Sequence, residues 1–342
     1  MKRFKITICL ITYMQEATVA QALKSVFDQD YSWDELIVSD DGSKDATVSV
    51  IKKELEKYRR YRRRVVVLES EKNQGLASNL NKAIEEASGD LIFAFAGDDI
   101  SMPNRVSQVV SIWEQLDCRP VMFHSDAELI DDDGLSIGEL RASDRMDRFS
   151  RDEGRLESST GWGSCGGEEA ALQAAGCARI IGATQVWTSD LFHKFGPLID
   201  ELMIEDEAMA LRAAMIGEII HVQEPLVKYR VGGISSWDKW EGSPRYVRSA
   251  LRSKAELKKT LYIQKIKDIE LLDYRENLGQ IANRELSYWI LVGSASTFSF
   301  KTFSLFVSSL RNGVPLSRCV KAMVSIITPR LYARLARLKI KR

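Results

Sequence analysis

Two pairs of adjacent aspartates in the first hundred residues each follow an apolar run. Asp40-Asp41 comes at the end of "DELIVSD", and Asp98-Asp99 comes shortly after "DLIFAFA". Carboxylates that face one another repel, and a hard divalent cation such as Mg²⁺ or Mn²⁺ relieves that repulsion and often holds substrate phosphates. Each pair alone is equally consistent with a turn or helix cap, because Asp bonds readily to nearby backbone N–H groups. Two pairs at equivalent places favour one shared site.

Strand-like and helix-like segments alternate over the first 130 residues. Apolar runs such as "FKITICLIT" predict buried strands, whereas "ATVAQALKSVFDQ" has apolar residues at helical spacing. The short links predict an α/β fold: a Rossmann-like, mostly parallel sheet with helices on both faces. Ligands of such sheets bind beyond the carboxyl ends of the strands, where both aspartate pairs would lie. No P-loop or Gly-x-Gly-x-x-Gly spacing follows the first strand, so a nucleotide diphosphate held through a metal is the better physical fit.

Composition excludes several classes of protein. The chain has 342 residues, 45% of them hydrophobic and 28% charged, which is typical of a folded globular protein. Its formal net charge is zero, so nothing predicts binding to nucleic acid. The five cysteines show neither metal nor disulfide spacing, and the N-terminus has no apolar signal stretch. These features predict a cytoplasmic protein.

The character of the sequence changes twice along the chain. Residues 138–178 are rich in Gly and Ser and lack periodicity, which predicts a long irregular excursion. We predict one domain over residues 1–236 and a helical, basic C-terminal extension over residues 237–342, which has no acidic residue after Glu285. The extension is amphipathic, as helices at a membrane surface are, although packing on the core or on a second copy of the chain is the alternative. Its apolar segment is interrupted by Ser and Lys301, so a membrane-spanning helix is not expected.

Three motifs in chain order resemble family 2 glycosyltransferases. They are "IVSDDGSKDAT", "FAFAGDD" and "IEDEAMALR", and the resemblance extends over roughly residues 4–236. It implies a GT-A fold and inverting transfer of a sugar from a nucleotide-diphosphate donor. It also implies a hydroxyl acceptor on a saccharide or a lipid-linked saccharide.

The resemblance assigns donor-side roles to the N-terminal motifs. Asp40 would face the nucleobase in a pocket framed by the backbone of Thr12 and Tyr13, with Asp41 beside it. Asp98 would reach the ribose and is a second candidate metal ligand. Asp99 would coordinate the Mg²⁺ or Mn²⁺ that bridges the diphosphate. Arg230 is assigned to the donor side as a substitute for the basic residue that often contacts the diphosphate, with Lys228 as the alternative.

The third motif supplies the acceptor side. The resemblance makes Asp206 the catalytic base, with Glu205 next to it. A single-displacement inversion needs one carboxylate within hydrogen-bond reach of the acceptor hydroxyl. The alternative at this position is favourable placement of negative charge at the start of a helix.

Three departures from the family pattern keep other functions open. Ala96 stands where the metal motif often begins with Asp, Leu80 where a basic residue often meets diphosphate, and Gly232 where a His often follows Tyr-Arg. A catalytically inactive sugar-binding or scaffold protein is therefore one alternative. A sugar-phosphate nucleotidylyltransferase is another, although "ITYMQEA" lacks the Gly-rich basic loop which that chemistry needs.

The resemblance also implies a cellular role. Such transferases build bacterial surface polysaccharides, such as O-antigen or capsule, at the cytoplasmic face of the inner membrane. Peripheral contact with that membrane surface, or a homo-oligomer formed through the C-terminal extension, follows as an expectation.

Overall fold

The computed structural model of the chain forms two compact units, residues 1–234 and residues 235–342. The structure describes residues 4–61, 63–141, 162–176, 180–232, 244–272, 276–294 and 300–327.

A single sheet organises the first unit. In chain order its strands are β1 (Ile6–Thr12), β2 (Glu35–Asp40), β3 (Arg64–Glu69), β4 (Leu91–Ala96), β5 (Ile100–Ser101), β6 (Val121–Ile130), β7 (Ser136–Leu140), β8 (Trp162–Gly166), β9 (Val186–Thr188) and β10 (Glu218–Arg230). Among the described residues the order across the sheet is β3-β2-β1-β4-β9-β6-β10-β5, with β7 added beside β6 and β8 beside β10. Strands β1 to β4 run parallel, as do β6 and β10, whereas β9 runs antiparallel to both its neighbours. The predicted α/β fold with a mostly parallel sheet is confirmed.

Helices cover both faces of this sheet. They are α1 (Val19–Phe27), α2 (Thr47–Tyr58), α3 (Leu76–Glu86), α4 (Arg105–Gln115), α5 (Gly167–Gly176), α6 (Asp190–Phe195) and α7 (Glu205–Ile216). Alternate residues of β1 point to opposite faces, because a strand has a two-residue period. Ile8 and Leu10 pack in one apolar core with Leu23 of α1 and Val109 of α4. Cys9 faces the other way and its Sγ lies 4.0 Å from the carbonyl of Ala83 in α3.

The strand register brings the two aspartate pairs to one edge of the sheet. Thr12 at the end of β1 is level with Asp40 at the end of β2, and Ile11 is level with Ala96 at the end of β4. The carboxyl ends of these parallel strands therefore coincide, and the residues that follow them share that edge.

The prediction of an irregular excursion over residues 138–178 is wrong for residues 138–140, which belong to β7, and for residues 162–176. Strand β8 pairs with β10, and helix α5 packs against α7. Among the residues of α5 whose burial is described, the buried ones are alanines (Ala170, Ala171, Ala174 and Ala175), so they form no pattern of large apolar side chains. Residues 142–161 and 177–178 of the predicted excursion lie outside the described residues.

The second unit is helical where the structure describes it, with α8 (Pro244–Leu271), α9 (Glu276–Ser294), α10 (Phe300–Arg311) and α11 (Leu316–Ile327). Its core contains Leu291 of α9 and Cys319 of α11, and Arg318 is paired with Glu285 (Nη2–Oε2 2.8 Å). None of the helices in the described ranges is both long and apolar enough to cross a membrane. The basic stretch over residues 328–342 lies outside the described part of the chain.

Candidate active site

Asp40 is held at the end of β2 by three hydrogen bonds. Its carboxylate accepts the backbone N–H of Ser43 (2.8 Å), the Ser43 hydroxyl (2.7 Å) and the Thr12 hydroxyl (2.9 Å). The residue is buried. Asp40 thus joins β1 to the turn after β2 through the side chain of Thr12, whose backbone was predicted to frame the nucleobase pocket.

Asp41 has a different set of partners. Its two oxygens accept the backbone N–H groups of Gln74 and Gly75, each at 2.8 Å, and the side chain is buried. These N–H groups lie in the turn that begins α3. Asp41 therefore holds the backbone of that turn, and its predicted contact with the donor stays a prediction.

The second pair follows β4 and shares a buried environment. Burial raises the pKa of Asp98, while a hydrogen bond from the Gln15 side chain opposes the rise. Burial and the neighbouring charge of Asp98 raise the pKa of Asp99 well above its ordinary value. The backbone N–H of Arg230 donates to Oδ1 of Asp99 (2.8 Å). Two adjacent carboxyl groups that resist ionisation are an arrangement that an added positive charge would stabilise.

The turn before this pair contacts the end of β1 closely. A Cβ at Gly97 would clash with Oε1 of Gln15 and would lie 2.8 Å from Cγ2 of Thr12, so only glycine fits there. Gln15 also accepts the backbone N–H of Tyr13 (3.2 Å). Gln15 therefore lies beside three residues that were predicted to bind the donor: Thr12, Tyr13 and Asp98. Sequence reasoning missed Gln15.

The guanidinium of Arg230 is occupied by the protein itself. Its Nε donates to the carbonyl of Asp98 (2.9 Å), and Nη1 donates to the carbonyls of Asp131 (2.6 Å) and Asp132 (2.7 Å). Nη2 donates to the Gln21 side chain (2.9 Å), and the residue is buried. Arg230 ties the end of β10 to the aspartate turn, and its predicted contact with the donor stays a prediction.

Glu205 and Asp206 begin α7. Burial and the charge of Asp206 raise the pKa of Glu205 to about 8, so Glu205 holds a proton at neutral pH. Oδ1 of Asp206 accepts the backbone N–H of Glu207 (2.8 Å), which caps the helix start. A Cβ at Gly182 would lie 3.3 Å from Oε1 of Glu205 and 3.6 Å from Oδ2 of Asp206. Both carboxyl groups therefore reach the backbone of the short turn over 182–184.

Arg105 of α4 links the two carboxylate pairs, and sequence reasoning missed it. Burial lowers its pKa to about 9, and the charge of Asp99 opposes that fall. Its Nη2 donates to the carbonyls of Ala94 in β4 (2.9 Å) and Gln185 (3.1 Å), the residue before β9. The sequence signal is an arginine on the buried stripe of α4, four residues before Val109.

His124 and His221 stack against each other across β6 and β10, with ring centroids 4.8 Å apart. Nε2 of His221 lies 2.8 Å from Oδ1 of Asp126. Burial, together with His221, lowers the pKa of His124 to about 3, so His124 is neutral at physiological pH. The pair connects two neighbouring strands in the sheet.

Asp98 and Asp99 fit a divalent cation by their donor atoms. Both offer carboxylate oxygens, and both have pKa values raised by burial that a bound cation would lower. The described residues contain no group of three or more His, Cys, Asp or Glu that could hold a metal alone. A Mg²⁺ or Mn²⁺ ion at this pair would complete its coordination with donor phosphates and water, as Mg²⁺ commonly does.

Solved GT-A glycosyltransferases share this fold. TarS 1-349 of S. aureus, in complex with UDP-GlcNAc, matches with a TM-score of 0.54 at 14% identity, over 94% of this chain and 91% of that chain. The mannosyltransferase PcManGT of Pyrobaculum calidifontis, in complex with GDP-Man and Mn²⁺, matches with a TM-score of 0.51 at 14% identity, over 96% and 88%. At this level of identity the likeness establishes the fold alone, and the fold is GT-A.

The sequence comparisons also find similarity to glycosyltransferases. Residues 7–163 match the family model Glycosyl transferase family 2. EpsE of Bacillus subtilis (strain 168), which has a provisional glycosyltransferase name, is 32% identical over 111 residues, covering 32% of this chain and 39% of EpsE. The uncharacterized glycosyltransferase alr2836 of Nostoc sp. is 24% identical over 234 residues, covering 68% of this chain and 66% of alr2836. The match over residues 7–163 agrees with the resemblance to family 2 glycosyltransferases that the motifs predicted.

The chain spans less than two thirds of the length of either relative, 39% of EpsE and 66% of alr2836. The activity and substrates of the whole protein therefore do not follow from these relatives.

Proposed function

We propose that this protein is an inverting glycosyltransferase. It moves a sugar from a nucleotide-diphosphate donor to a hydroxyl of a saccharide or lipid-linked saccharide acceptor, in the synthesis of a bacterial surface polysaccharide such as O-antigen or capsule. One observation carries the proposal: two carboxylate pairs, Asp98-Asp99 and Glu205-Asp206, lie on either side of a single buried linkage through Arg105 and Gln185. We assign Asp98-Asp99 to the donor side and Glu205-Asp206 to the acceptor side.

The donor side lies at the carboxyl ends of β1, β2 and β4. Asp40, with Thr12 and Tyr13, forms the base of a nucleobase pocket, and Asp98 faces the ribose. Asp99, with Asp98 as a second ligand, holds a divalent cation when one is bound. That cation supplies electrostatic stabilisation of the negative charge on the departing diphosphate.

The acceptor side lies at the start of α7. Glu205 keeps its proton at neutral pH, so the negative charge of the pair resides on Asp206. Asp206 is therefore the group able to accept the proton of the acceptor hydroxyl as that oxygen attacks the anomeric carbon. The attack and the departure of the nucleoside diphosphate occur in one displacement, which inverts the configuration at that carbon.

The test is release of nucleoside diphosphate from a panel of UDP-, dTDP- and GDP-sugars, because slow donor hydrolysis reports the donor without the acceptor. The wild type and Asp99→Asn are assayed with Mn²⁺ or with EDTA. We expect one donor to be cleaved, EDTA to abolish cleavage and Asp99→Asn to lose at least 100-fold in rate. Asp117→Asn is a matched control, because Asp117 is exposed and its backbone conformation (φ 54°) is one that Asn tolerates.

Two results would count against the proposal. Cleavage at the same rate with EDTA as with Mn²⁺ would show that the reaction does not need a metal. If no donor is cleaved and none binds, the donor-side roles assigned to the aspartates are wrong. That result would favour the scaffold alternative.

We further propose a cytoplasmic location with peripheral contact between the C-terminal unit and the inner-membrane surface. Exposed apolar side chains on α10 and α11 support it, among them Phe303, Leu316 and Val320. Co-sedimentation with anionic and neutral vesicles tests it: binding to anionic vesicles that salt weakens is expected. A dimeric or larger mass in solution, together with no vesicle binding, would favour a homo-oligomer through this unit instead.

A further inference from the structure

Gln185 is a completely buried amide placed between the two halves of the candidate site. Its Oε1 accepts the indole N–H of Trp187 (3.2 Å). Because an indole nitrogen can only donate, this contact fixes the amide so that its NH₂ group points the other way. That NH₂ group donates to the carbonyl of Gly182 (3.1 Å) and to Oε1 of Glu205 (3.3 Å).

The contact with Glu205 has a consequence for where the proton of that carboxyl group lies. The carbonyl oxygen of a carboxylic acid accepts a hydrogen bond better than its hydroxyl oxygen does. The amide N–H at Oε1 therefore favours the proton of Glu205 on Oε2. The charged group that acts on Glu205 is Asp206, next to it on the same helix.

The backbone of Gln185 is fixed as firmly as its side chain. Its carbonyl accepts Nη2 of Arg105 (3.1 Å) and the backbone N–H of Ala94 (3.2 Å). Arg105 also donates to the carbonyl of Ala94 (2.9 Å) and to the hydroxyl of Ser101 (2.9 Å). Ala94 and Ser101 lie on either side of Asp98-Asp99 in the chain, so Arg105 joins Gln185 to the segment that carries the donor-side carboxylates.

We propose that Gln185 is a positioning residue for glycosyl transfer: its amide orients the carboxyl group of Glu205 and places the proton on Oε2, and its backbone, held by Arg105, sets the distance between Glu205-Asp206 and Asp98-Asp99. This role rests on the proposed glycosyltransferase function. Gln185 is not a catalytic residue, since it acts through Glu205.

Gln185→Glu tests the amide with almost no change of shape. Ionisation of the new carboxyl group would set a negative charge against Glu205. Its kcat for donor hydrolysis should fall at least 10-fold at pH 8 and by less at pH 6, while the KM for the donor stays within twofold of the wild type. A fall of equal size at both pH values would leave Gln185 with a structural role only and overturn the proposal.

Gln185→Leu removes the amide altogether, and Thr188→Val is its matched control. The Thr188 hydroxyl accepts the backbone N–H of Val121 (3.1 Å), so this control removes a buried polar contact from β9, the strand that follows Gln185, away from Glu205. Thermal unfolding of each variant measures the structural cost. We expect similar losses of stability, with a loss of kcat confined to Gln185→Leu; an equal loss of kcat in Thr188→Val would overturn the proposal.

An infrared titration of the Glu205 carboxyl group separates this inference from the proposed function. The signal is identified by its disappearance in Glu205→Gln, and the measurement needs no donor or acceptor. The midpoint should rise in Gln185→Leu, because a hydrogen bond to the ionised form is lost, and should not move in Thr188→Val. An unmoved midpoint in Gln185→Leu contradicts the positioning role. If no donor turns over but the midpoint rises, the proposed activity fails while the contact between Gln185 and Glu205 stands.

Discussion

The backbone N–H of Arg230 donates a 2.8 Å hydrogen bond to Oδ1 of Asp99, although 131 positions separate the two residues. The guanidinium of the same arginine holds the carbonyl of Asp98 from the other side. The end of β10 therefore fixes the turn that carries the candidate metal ligands. A donor nucleotide would meet carboxylates whose positions are already set.

Replacement of Arg230 should reveal this role. Arg230→Ala leaves three carbonyl groups without their cationic partner, and we expect the free energy of unfolding to fall by about 3 kcal/mol. Urea denaturation measures it. Lys228→Ala is the control, because the partly exposed pair between Lys228 and Glu128 (3.4 Å) should contribute less than about 1 kcal/mol. Unchanged stability in Arg230→Ala, with a large rise in donor KM, would support the predicted diphosphate contact.

Asp40 and Asp41 should respond differently to the same conservative change. Asp41→Asn can accept only one of the two N–H groups at Gln74 and Gly75, so we expect a loss of about 1–2 kcal/mol in stability with little change in donor KM. Asp40→Asn should mainly raise the donor KM, since the hydroxyl partners of Asp40 can rotate. Denaturation and donor kinetics on both variants distinguish the roles. A reversed pattern would exchange the two assignments.

The stability of the protein should depend on Glu205 in a defined pH interval. The pKa of Glu205 is raised from 4.5 to about 8, so between these values the folded protein holds a proton that the unfolded chain releases. The contribution of Glu205 to stability is therefore complete below pH 4.5 and lost as pH rises to about 8. We expect the Tm of the wild type to fall relative to that of Glu205→Gln between pH 5 and pH 9. Parallel Tm curves for the two proteins would contradict the raised pKa.

Met14 adopts a left-handed backbone conformation (φ 53°) directly after Tyr13. Such a conformation is unfavourable for Met and easier for Asn, whose short polar side chain tolerates it. Met14→Asn should therefore raise the free energy of unfolding by about 0.5–1 kcal/mol. Met14→Leu, which keeps the strain, should give no gain in a urea titration. Equal stability of all three proteins would show that the strain at this position is negligible.

The local pattern of apolar residues in the sequence was sufficient to predict much of the fold. Buried strands such as Ile6–Thr12 and Leu91–Ala96 are continuous apolar runs, and the short links between them leave few topologies. Both aspartate pairs follow such strands, so their placement at one edge of the sheet could be inferred as well. Helix Gly167–Gly176 could not, because its buried face is made of alanines and carries no strong apolar period.

The linkage between the two carboxylate pairs was also beyond sequence reasoning. Arg105 donates a hydrogen bond to the backbone carbonyl of Gln185, 80 positions away in the chain. Every residue has a backbone carbonyl, so the sequence does not show which one accepts this bond. Gln185 acquires its role from Trp187 and Glu205 together, a combination that exists only once β9 and α7 have packed. The surroundings of Arg230 could not be predicted for the same reason. The sequence shows that residue 230 is a cation, but it does not show the four oxygens that accept hydrogen bonds from its guanidinium.

The path from β4 to β5 implies that the sheet is curved. Four strand spacings separate them in the order β4-β9-β6-β10-β5, about 19 Å in a flat sheet. In the chain only Gly97, Asp98 and Asp99 connect them, and such a link reaches at most about 14 Å. The sheet must therefore roll towards closure here, and the irregular register of β10 around Pro225 provides a place to bend. The aspartate pair lies in the seam of this partial barrel, so the degree of rolling sets how widely the site is open.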